Sequence, residues 1–351
     1  MRGYRSIRLG KDKISLLLDT NSLMKLMILV FLTLAIFIIS AGLGDFQVHP
    51  FTVVSLLFGG GTELEQLVVY QFRLPRIIAS MVVGMGLAVA GGILQGMLRN
   101  DLAAPDTIGV TAGAGMAVVA FLWLFSDENY SLIVSIKWLP VAAFVGASLV
   151  AAAVYFLSWK DGVTPVRLIL IGIGISALMQ AGTTMFMVLG PIYMASQANI
   201  WITGSVNSIT WEDVNILVPV TLVLLVLAFL SSRIVNVQSL GEEVATGVGS
   251  SVQRQHFVLL MISTGLVGTA VAFAGGIGFV GLMAPHMARK LVGSSFGVLL
   301  PVSAFLGAIL VMLADLVGRT LFLPSVVPAG VFTAALGAPY FIYLLMRAKN
   351  K

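Results

Sequence analysis

Two arginines, Arg73 and Arg76 in the stretch QFRLPR, stand directly ahead of the apolar run IIASMVVGMGLAVAGGIL. Guanidinium groups suit charge-assisted, forked recognition of carboxylates. A third arginine, Arg319, lies four residues after Asp315 in LADLVGRT, so the two share a helix face and can form a structural pair. The alternative reading joins Arg319 to Arg73 and Arg76 in one basic patch. The other reactive residue types exclude more than they offer. His49, His256 and His286 are far apart, with no carboxylate at ligand spacing, so no metal site is expected. The chain has no Cys, which removes disulfides, thiol chemistry and Cys-ligated metals. G-x-S-x-G, H-E-x-x-H and the phosphate loop G-x-x-x-x-G-K-[ST] are all missing. No catalytic residue, no cofactor and no ATP hydrolysis by this chain itself is expected. Passage of something across a membrane is the better class.

The elements that position these residues are membrane helices. Of 351 residues, 58% are hydrophobic and only 10% charged, with a mean hydropathy of +1.03. A soluble domain of that balance would lack polar cover. Continuous apolar runs of about twenty residues point to an all-α polytopic protein rather than a barrel, whose strands alternate. Roughly ten spans are expected, at 24–43, 74–98, 107–125, 138–158, 166–190, 212–231, 256–274, 276–292, 298–317 and 331–346. Residues 1–23 read as a tail, 24–347 as the transmembrane domain and 348–351 as a second short tail. With both termini in the cytoplasm, sixteen of the twenty Lys and Arg fall on the inner side. The four left outside are Arg73, Arg76, Lys137 and Arg319. The chain is therefore expected to cross its membrane many times, with those arginines facing outward.

Three further stretches stand out. LGEEVATGVGSSVQRQ lies in the polar inner loop, about 236–255, between the sixth and seventh spans. Its acidic start, small residues and glycines suit two short helices with a tight turn near Gly247 or Gly249. It is either a solvated loop or a knob that seats in a partner's cleft. GFVGLMAPHMARK ends the eighth span, where Pro285 should break or kink the helix and His286, Arg289 and Lys290 anchor it. AVAGGILQGMLRNDLAAPD and AFAGGIGFVGLMAPHMAR are weakly alike, through ancient duplication or through chance similarity of Gly/Ala-rich helices.

RLPR, GGILQGMLRNDLAAPDTIGVTAGAG, WITGSVNSITW, LGEEVATGVG, GGIGFVGLMAPHMAR, DLVGR and VPAGVFTAALGAPYFIYLL occur in this order from about residue 50 to 347. Together they resemble the permease family of ABC importers for iron–siderophore complexes, haem and vitamin B12. The resemblance implies ten helices per subunit and a second permease subunit, identical or homologous. It also implies a cytoplasmic ATPase dimer and an extracytoplasmic solute-binding protein. It assigns Arg73, Arg76 and Arg319 to docking of the binding protein, and Gly241, Glu242, Glu243, Ala245, Gly247 and Gly249 to coupling with the ATPase. It places the cytoplasmic gate at Thr164, Pro165 and Val166. Pro165 and Val166 stand where vitamin B12 permeases have small hydroxyl residues, which weakens the carry-over of gate details and leans away from vitamin B12. A ferric siderophore is the expected cargo, with haem or vitamin B12 as the alternatives within the family. A secondary transporter driven by an ion gradient is the rival class. It should carry ionisable residues at mid-membrane, and Asp315, near the outer end, is a weak candidate.

Overall fold

The computed structural model describes residues 4–9, 14–56, 58–126, 132–160, 162–190 and 192–348. Arg2, Lys11, Lys13, Lys349 and Lys351 of the basic count lie outside the described residues. Ten principal helices follow one another. They are α1 (Thr20–Gly42), α2 (Leu74–Leu98), α3 (Val110–Leu124), α4 (Leu139–Leu157) and α5 (Pro165–Leu189), then α6 (Trp211–Leu230), α7 (Val252–Ala274), α8 (Val280–Val292), α9 (Phe296–Thr320) and α10 (Ala329–Ala348). They correspond one for one to the ten expected spans. Residues 4–19 are not a plain tail: strands β1 (Tyr4–Leu9) and β2 (Ile14–Asp19) pair antiparallel, Tyr4 opposite Asp19 and Leu9 opposite Ile14. Asp19 then caps α1, accepting from the Asn21 N–H and the Ser22 hydroxyl.

Helix α2 is the axis of the bundle. Of the most apolar window of the continuous segment Glu63–Leu98, 83% is buried, against 72% for α7 and 67% for α9. Small residues permit this. A Cβ on Gly84 of α2 would fall 2.2 Å from the carbonyl oxygen of Gly307 on α9, and one on Gly91 would fall 1.8 Å from that of Gly281 on α8. Backbones therefore touch where side chains would hold them apart. At the other extreme, only 11% of the α5 window is buried.

Eight helices among the described residues are long and apolar enough to cross a membrane. The two others depart from the expected full spans. Helix α3 has 15 residues and α8 has 13. At 1.5 Å per residue they reach about 22 and 20 Å, short of a hydrocarbon core of about 30 Å. The N-termini of both lie inside the bundle. The chain before α3 forms a short turn, Pro105–Ile108, that lies against Gly281 of α8 and Gly172 of α5. Before α8, Gly275 (φ +67°) and Phe279 (φ +66°) are left-handed, and the stretch is clasped by the end of the short helix Ile192–Thr203, with the Gly276 N–H donating to the Trp201 carbonyl oxygen at 3.2 Å. Both linkers are apolar or buried, so hydropathy merges them with the helices. Pro285 does not break α8. It sits inside a continuous helix. The two similar Gly-Gly segments also differ in structure: Gly91 and Gly92 lie in mid-helix, whereas Gly275 and Gly276 follow the end of α7.

Candidate functional site

At the end opposite the Lys/Arg-rich loops, α2 is preceded by one wide turn, the π-helical stretch Leu67–Arg73. It rotates Arg73 toward α1, while Pro75 takes a first-turn position where its missing N–H costs little. Arg73 donates from Nη1 to the carbonyl oxygens of Ala41 at 2.7 Å and Gly42 at 3.1 Å, and from Nη2 to that of Phe46. Arg319 approaches the same helix end from α9. It donates to the carbonyl oxygen of Leu43 at 2.9 Å, to the Ser40 hydroxyl at 2.9 Å and to the Ser40 carbonyl oxygen. The last carbonyls of a helix lack partners of their own and carry the negative end of its dipole, so two guanidinium groups form their natural cap.

Arg76 faces the other way. Its Nε donates to both carboxylate oxygens of Asp315, at 2.8 and 3.0 Å, its Nη2 lies 2.8 Å from Oδ1, and its Nη1 donates to Asn207. The expected Asp315–Arg319 pair exists, but at 3.8 Å it is the looser contact. Asp315 is thus held chiefly by Arg76, 239 residues away. The sequence reading placed these arginines together and at one end. It did not anticipate that they turn inward: Arg73 and Arg319 are each 7% exposed. The surface around them carries exposed Asp45 and Glu63, and Lys137 is paired with Glu212. In the isolated chain this end is not a free electropositive patch.

At the Lys/Arg-rich end, the loop between α6 and α7 contains two short helices, Ser232–Ser239 and Glu242–Gly247, of which only the second lies in the stretch Leu240–Gln255 where both were expected. The bend between them falls at Gly241, φ +114°, not near Gly247 or Gly249. Gly249, φ +82°, closes the second helix, with the Ser250 N–H bonded to the Ala245 carbonyl oxygen at 2.9 Å. Ala245 is buried, while Gly247 and Gly249 face open space. Thr164 precedes α5, Pro165 opens it and Val166 is exposed. A cavity of about 550 Å³ is lined by Arg99, Thr164, Pro165 and Leu240 to Val244. The structure therefore brings Thr164 and Pro165 of the expected gate and Gly241, Glu242 and Glu243 of the expected coupling segment to one space.

A carboxylate at the joint between two half-helices was not singled out in the sequence. Asp106, in the turn before α3 and exposed in the single chain, accepts from the Thr111 hydroxyl at 2.7 Å and from the Phe279 N–H at the start of α8. It links the N-termini of the two half-helices, where a carboxylate is favoured by both dipoles. The Pro-Asp pair at the start of an apolar run was the available signal.

Residues 32–347 match the FecCD transport family. The chain belongs to that family. It is 55% identical over 324 residues to the Probable siderophore transport system permease protein YfhA of Bacillus subtilis (strain 168), covering 92% of this chain and 94% of that one. It is 42% identical to the Iron(3+)-hydroxamate import system permease protein FhuG of the same organism, over 94% and 98% of the two chains. Among solved structures, an inward-facing metal-chelate type ABC transporter superposes with a TM-score of 0.82 at 29% identity, over 92% of this chain and 98% of that one. A FecCD chain is a multi-pass membrane permease subunit of an ABC importer and not itself an enzyme. As a subunit, it works with partners that bind cargo and supply energy.

Proposed function

We propose that this FecCD chain moves a ferric siderophore complex inward, driven by ATP hydrolysis on a separate ATPase dimer. The observation that carries this reading is the 55% identity, over almost the whole chain, to a siderophore permease. The charge asymmetry supports an orientation with both termini and the α6–α7 loop in the cytoplasm. Helix α5, scarcely covered within one chain, supports a second permease subunit, identical or homologous, against that face. The coupling segment is Gly241, Glu242, Glu243, Ala245, Gly247 and Gly249, whose open glycine side suits a partner cleft. The gate region is Thr164, Pro165 and Val166.

Docking of the binding protein belongs to the outer arginine cluster, with divided labour. Arg76 reaches the surface beside Asn207, which is exposed. Arg73 and Arg319 shape the docking surface by holding the end of α1. The test is uptake into proteoliposomes containing the chain, its permease partner and its ATPase. A radiolabelled ferric hydroxamate is offered on a binding protein, with haem and vitamin B12 in parallel. Uptake of the ferric chelate only with ATP inside the ATPase compartment supports the reading. Uptake driven by an ion gradient without ATP contradicts it.

A further inference from the structure

The cavity of about 550 Å³ is lined both by Leu240–Val244 and by Thr164 and Pro165, which raises the question of how the two stretches move together. The base of α7 offers a route. The α6–α7 loop continues directly into the first turn of α7, and there Gln253 leaves the helix toward the loop between α4 and α5. Its Oε1 accepts the Val163 N–H at 2.9 Å. Its amide also fills the space beside Gly162, where an added Cβ would fall 2.6 Å from Nε2 and where φ is +116°. Val163 is 2% exposed and pairs by a short bridge with Trp159. Thr164 and Pro165 follow at once.

The surroundings make this junction stiff at both ends. Tyr155 of α4 packs edge-on against Phe257 of α7, with ring centroids 5.2 Å apart, and against Trp159 at 5.7 Å. On the coupling side, Gln255 Oε1 accepts from Gln238 Nε2 at 3.3 Å and from the Ser250 hydroxyl. That ties the helix Ser232–Ser239, the end of the coupling segment and the base of α7 into one unit.

We propose that Gln253 is a positioning residue for energy coupling: a strut that makes the α4–α5 loop follow the coupling segment. Movement at Glu242–Gly249 is carried through the first turn of α7 to Val163, and from there to Thr164 and Pro165. The chemistry needed is an acceptor of the right length. Glutamate keeps it and leucine does not.

The inference rests on the importer reading, and the test separates the two. In the reconstituted complex described above, ATP-dependent uptake of the ferric hydroxamate by the wild type is the control. Its absence overturns both readings. The strut is read from chelate moved per ATP hydrolysed. With Gln253→Leu this ratio falls about tenfold, the scale of one lost hydrogen bond, while ATP hydrolysis and co-purification of the subunits stay within about twofold. Gln253→Glu keeps the wild-type ratio. An unchanged ratio in Gln253→Leu overturns the proposal. The chain lacks Cys, so Val163→Cys with Gln253→Cys gives a second readout. A short thiol-to-thiol cross-link should restore the ratio lost in the unlinked pair, since loop and helix move together. A cross-link that stops transport shows that they must separate, and overturns the strut.

Discussion

Asp315 is the most demanding residue of the outer cluster. It is 2% exposed, and Arg76 grips both its oxygens at 2.8 to 3.0 Å. Replacing it with leucine leaves the Arg76 and Arg319 guanidinium groups, 11% and 8% exposed, facing each other without the carboxylate. Breaking a buried pair by removing one partner costs about 3–5 kcal/mol, against roughly 0–1 kcal/mol for an exposed one. Arg319 keeps its bonds to the end of α1, so the lower figure applies: about 3 kcal/mol for Asp315→Leu. Asp315→Asn retains one acceptor and should lose about half of that. The double change Arg76→Met with Asp315→Leu removes both charges and fills the space with apolar atoms, so it should be more stable than Asp315→Leu alone. The assay is the thermal midpoint of the purified chain in detergent. At about 1.4 °C per kcal/mol for a chain of 351 residues, the single change should lower it by about 4 °C. If Asp315→Leu stays within about 1 °C of wild type, the buried network does not hold this end together.

Other outcomes follow from the same contacts. Gly247→Trp should leave membrane insertion and thermal midpoint intact, because a side chain there meets open space, yet abolish co-purification with the ATPase. Gly249→Trp is less clean, since φ +82° adds backbone strain of about 1 kcal/mol or more. Gly91→Val should prevent folding, because its Cβ would overlap the Gly281 carbonyl oxygen, and should show as loss of the monodisperse peak. Arg76→Gln should weaken affinity of the liganded binding protein and flatten its dependence on salt, since the least buried of the three docking arginines loses its charge. Unchanged affinity at two salt concentrations would return Arg76 to a structural role alone.

The sequence was informative where the physics is local. Hydropathy located nine of the ten helices as continuous apolar runs, and α8, which carries His286, Arg289 and Lys290, only by its apolar first turns. It misjudged α3 and α8, because the chain around Pro105 and Gly276 is apolar or buried like a helix but is not one. That Arg73, Arg76 and Arg319 share one end of the bundle followed from charge counting. Their partners did not, because Arg319 meets the Leu43 carbonyl across 276 residues of sequence and backbone carbonyls leave no trace in residue type. The Asp315–Arg319 spacing was legible as a helix pair. The stronger partner, Arg76, required the crossing of α2 and α9, which Gly84 and Gly307 set. Asp106 was passed over because its neighbours in sequence read as an inner loop, whereas the fold carries that loop into the bundle.

A chain that is a passive path, powered and supplied by partners, is tested by uptake of a radiolabelled ferric hydroxamate into proteoliposomes in which ATPase and binding protein are each left out in turn. Uptake is expected with both present and none when either is missing, with no ATP hydrolysis by the purified chain. Concentrative uptake by the chain alone, driven by a proton or sodium gradient, would contradict that expectation.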